Sequence, residues 1–121
     1  MTFEITKDRE LSRRGDCVIA VNATKGPREM LADFKRACMQ ESARITMSLE
    51  ASGISEIIQG TGSPNLSFAH PREMVGRKSS YPSDRTIMIR ANKAAYDIDR
   101  QLMQVLRSPE TKLCIRFSVE I

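Results

Sequence analysis

Two stretches of strict apolar–polar alternation recur at an offset of 68 residues, and no other feature limits the fold of this chain as tightly. In 44–51, Ile45, Met47, Leu49 and Ala51 alternate with Arg44, Thr46, Ser48 and Glu50. Near the other end, Leu113, Ile115, Phe117, Val119 and Ile121 alternate with Lys112, Cys114, Arg116, Ser118 and Glu120. Period 2 sends successive side chains to opposite faces, so each stretch is a strand with one buried and one wet face. A parallel sheet covered on both sides reads instead as unbroken Val/Ile runs. A doubly wound nucleotide-binding fold is therefore disfavoured.

A helical pattern precedes each strand. Met30, Leu31, Phe34 and Cys38 fall on one helical stripe, and Ala94, Ile98, Leu102, Val105 and Leu106 on another that stops before Ser108-Pro109. Thr24 and Asn92 are the expected N-caps, with Glu29 and Asp97 near the first turns. Short apolar runs, Cys17 to Val21 and Thr86 to Ile89, read as buried strands ahead of the helices, and 2–7 and 74–79 add one more strand to each half. Residues 16–51 and 84–119 then align without a gap, with Asp16/Asp84, Ile19/Ile87, Ala23/Ala91 and Lys25/Lys93 identical. The spacing predicts an α+β chain. Duplicated β-β-α-β units, residues 1–51 and 74–121, would form a pseudo-two-fold mixed sheet or small barrel with two outer helices. An open sandwich with both helices on one face is the alternative.

At 121 residues the chain suits one domain. The Gly/Ser/Pro-rich segment 52–73 reads as a mobile linker, with 54–59 a further strand and Gly60-Thr61-Gly62-Ser63-Pro64 a turn rather than a phosphate loop. Cys17, Cys38 and Cys114 are odd in number and have no CxxC spacing, which argues against a disulfide framework and a zinc ribbon. With a single histidine, His70, no usual metal-ligand spacing arises. No metal or other cofactor is expected. The chain shows neither an apolar span nor a leader pattern, so a cytoplasmic setting away from the membrane is expected.

The net charge of +4 is confined to the second half, where residues 72–93 hold six Lys/Arg against two Asp/Glu. That stretch is either a solvated face or an anion site. Lys25, Arg77, Lys78, Arg85 and Lys93 are the candidate anion-binding residues, because a lysine beside a helix N-terminus opposes the macrodipole unless an anion offsets it. Asp16, His70, Ser79 and Asp84 are further candidates for acid, base or turn roles. Cys17 would need a base beside it to act as a nucleophile, and a small core residue is the plainer role.

Phe3-Glu4-Ile5-Thr6-Lys7, Arg14-Gly15-Asp16-Cys17-Val18-Ile19, Ser67-Phe68-Ala69-His70-Pro71, Arg77-Lys78-Ser79 and Arg85-Thr86 occur in this order, followed by Lys93-Ala94-Ala95 and Asp97-Ile98-Asp99-Arg100. In these strings the chain resembles the archaeal family known as domain of unknown function 371. The resemblance implies a small cytoplasmic protein and marks Gly15, Asp16, His70, Pro71, Arg77, Lys78, Ser79, Arg85 and Lys93 as motif positions. It supplies no reaction, and whether the chain is an enzyme stays open. The leading expectation is a binding module for an anionic ligand, with nucleic-acid phosphate or a small anion as partner. A small enzyme acting on a phosphorylated or carboxylated metabolite is one alternative, and a homodimeric interaction subunit is another.

Overall fold

The computed structural model describes residues 1–9 and 17–121. The chain is mixed α+β, with seven strands in two sheets and two short α-helices among the described residues. Strand β1 (Thr2–Thr6) leads to β2 (Val18–Ala20), α1 (Ala32–Cys38) and β3 (Arg44–Ala51). Then β4 (Ile54–Thr61), β5 (Glu73–Arg77), β6 (Thr86–Met88), α2 (Arg100–Val105) and β7 (Cys114–Glu120) follow.

The first sheet has the order β2-β1-β5-β6, with β1 and β5 antiparallel at its centre and β2 and β6 each parallel to its neighbour. The second has the order β4-β3-β7 and is antiparallel throughout. Each strand that follows a helix thus leaves the first sheet, and β3 and β7 pair with each other. The α+β class is as expected, with the strands divided between two sheets. Strand β2 holds only three residues, too few to match the eight of β3, whereas β4 and β7 offer β3 ladders of eight and seven paired residues.

The apolar faces of the sheets meet in a core that includes Phe3, Ile5, Ile45, Met47, Leu49, Ile58, Met88 and Leu102, all at 0% exposure. Burying a side chain of this size stabilises the fold by roughly 1.5–3 kcal/mol before chain entropy is counted. On one side the sheets are joined by a two-way backbone bridge, Thr61 N to Ile89 O at 2.8 Å and Ile89 N to Thr61 O at 3.0 Å. The supposed linker 52–73 is therefore built in, since it supplies all of β4 and buries Leu66 and Phe68.

Neither helix begins where the sequence pattern places it. A 3-10 turn occupies 27–29 and another 95–97; Met30 and Ile98 are then extended, with ψ of 154° and 143°, and the α-helices start afterwards. Side chains cause the break. Glu29 Oε1 accepts from Gly26 N and Asp97 Oδ2 from Ala94 N, both at 2.9 Å, and Asp99 starts α2 by accepting from Gln101 N and Leu102 N. The backbone hydrogen bond lowers the Asp97 carboxyl most, with Lys78 adding to it; at Glu29, Lys7 leads and the Gly26 amide follows. Depressed carboxyl values contribute stability above the unfolded-state value, and it is lost as pH falls through the folded-state value. Thermal unfolding between pH 6 and pH 3 should show a shallower acid limb for Glu29→Gln/Asp97→Asn than for the parent. Parallel limbs would deny the two caps that role.

Candidate functional site

The basic stretch is compensated from within. Arg72 pairs with Asp8, Arg85 with Glu4 and Glu73, Lys78 with Asp97 at 2.7 Å, and Lys93 with Glu56. The Arg77 guanidinium donates to Thr86 Oγ1 at 2.9 Å and Ser83 Oγ at 3.2 Å and stands 5.1 Å from the Tyr81 ring centre. Burial lowers its pKa, and the charge of Arg85 adds to that. An excess of positive charge visible in sequence is thus spread over carboxylates from other strands, which weakens the case for a phosphate-binding face.

Lys93 is not beside a helix N-terminus, because α2 starts seven residues later at Arg100. Asn92 is likewise no cap: its Oδ1 accepts from Gln59 N and its own N–H donates to Gln59 O. His70 is a turn residue whose Nδ1 accepts from Arg72 N at 3.0 Å and Glu73 N at 2.9 Å, fixing the entry to β5. Its backbone N–H donates to Asp84 O, and the Asp84 residue is exposed. Ser79 Oγ accepts from Tyr81 N, and its carbonyl from Arg90 N. Asp16 and Gly15 lie outside the described residues.

A polar network joins β1, β2 and β5. Glu4, 4% exposed, accepts from Arg85 at 2.9 Å and from the Cys17 thiol, also at 2.9 Å. Burial raises the Cys17 pKa, and the hydrogen bond to Glu4 raises it further. A thiol held protonated beside a carboxylate is a poor nucleophile, which fits the plainer role for Cys17. Cys38 is buried, and burial alone pushes its thiol up to about 12.

An open cleft lies elsewhere. Opposite the Thr61–Ile89 bridge, β2 and β7 are both edge strands among the described residues, and a cleft of about 1180 Å³ lies between them. Ile5, Ile19, Met30, Phe34, Met74, Leu106, Leu113, Ile115 and Phe117 make its apolar wall, with Arg9, Lys25, Glu110 and Lys112 as exposed members of the lining. Among the described residues neither Lys25 nor Lys112 has an ion pair. Of the anion-binding candidates only Lys25 lines this cleft; Arg77, Lys78, Arg85 and Lys93 do not. The opening also explains a departure in burial. Leu102 is buried as its helical phase demands and Ile98 from the extended stretch ahead of α2, whereas Met30, Phe34, Ile115 and Phe117 are half-buried because they face the cleft. Sequence reasoning missed the segment 106–113, whose only signal was the helix stop at Ser108-Pro109.

Comparison with known proteins places this geometry in a lineage. The model of a family described as a domain of unknown function (DUF371) matches residues 1–120. The uncharacterised protein MJ0206 of Methanocaldococcus jannaschii is 39% identical over 106 residues, which is 88% of this chain and 78% of that protein.

Proposed function

The chain belongs to the family of domain of unknown function 371, and from that premise we propose that it is a binding module whose ligand is an organic anion with an apolar body. One observation carries the reading: one cleft of about 1180 Å³ combines an apolar wall with the ammonium groups of Lys25 and Lys112, which make no ion pair among the described residues. Pockets that bury small ligands commonly measure roughly 300–1,000 Å³, mostly apolar with a few orienting polar groups. The anion-binding expectation thus moves from the 72–93 stretch, where Arg72, Arg77, Lys78, Arg85 and Lys93 are engaged, to the far side of the molecule. Nucleic acid is the weaker form of the reading for the same reason. The metabolite-converting alternative loses ground because Asp84 and His70 do not line the cleft.

The same reading takes the chain as one cytoplasmic domain built from two related halves. Three free cysteines support the setting, and no helix among the described residues is long and apolar enough to cross a membrane. The common order of elements, with parallel β1/β2 and β5/β6 pairs and β3 crossing β7, supports the duplication.

Titration calorimetry with decanoate and with decylamine, both below their micelle concentrations, tests the proposal. Decanoate should bind at least tenfold more tightly than decylamine, and Lys25→Ala should remove about tenfold, the equivalent of about 1.4 kcal/mol. Equal binding of the two probes, or no binding of decanoate, would sink the reading.

A further inference from the structure

We propose, resting on the cleft as the binding site, that its occupant is an extended peptide segment that adds to the free edge of β7 as a strand and places a carboxylate side chain on Lys25. The other half of the molecule supplies the precedent. There, the position beside β3 is filled by β4, which pairs antiparallel with Leu49, Met47 and Ile45 through Glu56, Ile58 and Gly60. Glu56 holds Lys93, Ile58 is fully buried, and Thr61 bridges to Ile89. At the 68-residue offset, Lys93 becomes Lys25, Ile89 becomes Val21, and Leu49, Met47 and Ile45 become Phe117, Ile115 and Leu113. All five of these counterparts line the cleft. The residues that in one half grip a strand are therefore gathered in the other around an open slot.

The physical requirements of strand addition are also met. An edge strand offers a row of unsatisfied backbone donors and acceptors, so an added segment gains main-chain hydrogen bonds while alternate side chains supply specificity. The inward side chains of β7, Ile115 and Phe117, are half-buried, whereas Met47 and Leu49 beneath β4 are at 0% exposure. An added strand would complete that burial. Charge complementarity selects the segment, since Lys25, which makes no ion pair among the described residues, asks for what Glu56 gives Lys93. One position is closely packed. Gly60 lies against Met88 and Ile89, and a Cβ there would come within 2.8 Å of both the Met88 sulfur and the Ile89 carbonyl oxygen. The counterparts are Ala20 and Val21, and a backbone contact of this kind does not depend on their side chains, so a glycine suits this position of the added strand as well. The preferred pattern is therefore an acid, then an apolar residue two positions on, then a glycine two further on.

The test uses the full chain and a synthetic peptide with the sequence of residues 54–61, acetylated and amidated. Binding is read by calorimetry and by hydrogen exchange of the β7 amides. The peptide should bind and slow exchange along 114–120. Its Glu56→Gln form should bind about tenfold more weakly to the parent, yet no more weakly than the acidic form to Lys25→Ala. N-methylation at alternate peptide amides should abolish binding. Decanoate binding without peptide binding overturns this inference and leaves the small-anion reading intact; failure of both removes that reading too. Peptide binding without protection of β7 also overturns it, as does protection in the absence of peptide from a concentration-dependent dimer, which would assign the slot to a second copy.

Discussion

Gly62→Ala should lower the unfolding free energy by at least about 3 kcal/mol, the upper end of what overpacking ordinarily costs. A Cβ at this position would overlap the backbone carbonyl of Cys38 and come within 2.8 Å of the Gln40 carbonyl oxygen. Backbone cannot rotate out of the way as a side chain can. The contact is also pinned, because Gly62 N donates to Ala43 O and Ser63 N to Cys38 O, both at 3.1 Å. These bonds tie the end of β4 to the turn between α1 and β3. Gly53→Ala provides the contrast: its φ is +78° with open space around it, so the cost should be about 1 kcal/mol of backbone strain. Urea titrations of both variants decide the matter. A Gly62→Ala midpoint no lower than that of Gly53→Ala would mean that the turn yields.

Arg85→Met should cost about 3 kcal/mol, because it keeps the apolar stem and removes the cation between two carboxylates of low exposure, Glu4 at 6% and Glu73 at 15% of the side chain. Taking one member from a buried ion network leaves uncompensated charge, a loss of about 3–5 kcal/mol in well-buried cases. Two facts place this site at the low end. The Arg85 side chain is itself 30% exposed, and neither carboxylate relies on it alone. Neutralising Glu4 should restore part of the loss, since glutamine can still accept from the Cys17 thiol. In urea titrations at pH 7, Arg85→Met/Glu4→Gln should be more stable than Arg85→Met by more than about 0.5 kcal/mol, the limit of simple additivity. Additive losses would show that the network is not coupled through charge.

The same network shows where sequence reasoning stops. Arg85 meets Glu4 across 81 positions and Arg72 meets Asp8 across 64, and no local pattern encodes either pairing. They exist because β1 and β5 run antiparallel with Thr6 opposite Glu73. A charged stretch of sequence consequently looks like a basic surface until the strands that neutralise it are placed beside it. Lys93 and Lys25 illustrate the same point, standing at equivalent positions of the 68-residue offset yet one paired with Glu56 and the other lining the cleft.

By itself the sequence determined what depends on short-range periodicity and chain chemistry. The two alternating strands lie where their period puts them, and the α+β class follows from the element order. Leu102 is buried because an apolar stripe on a short helix has only one way to leave water. Tertiary structure alone decided the division into two sheets and the burial of Leu66 and Phe68 from the segment read as a linker. It also decided that Met30, Phe34, Ile115 and Phe117 stay half-buried around an opening. Burial at those positions requires a strand beside β7, and hydrophobic phase specifies which face turns inward without specifying whether anything arrives to cover it.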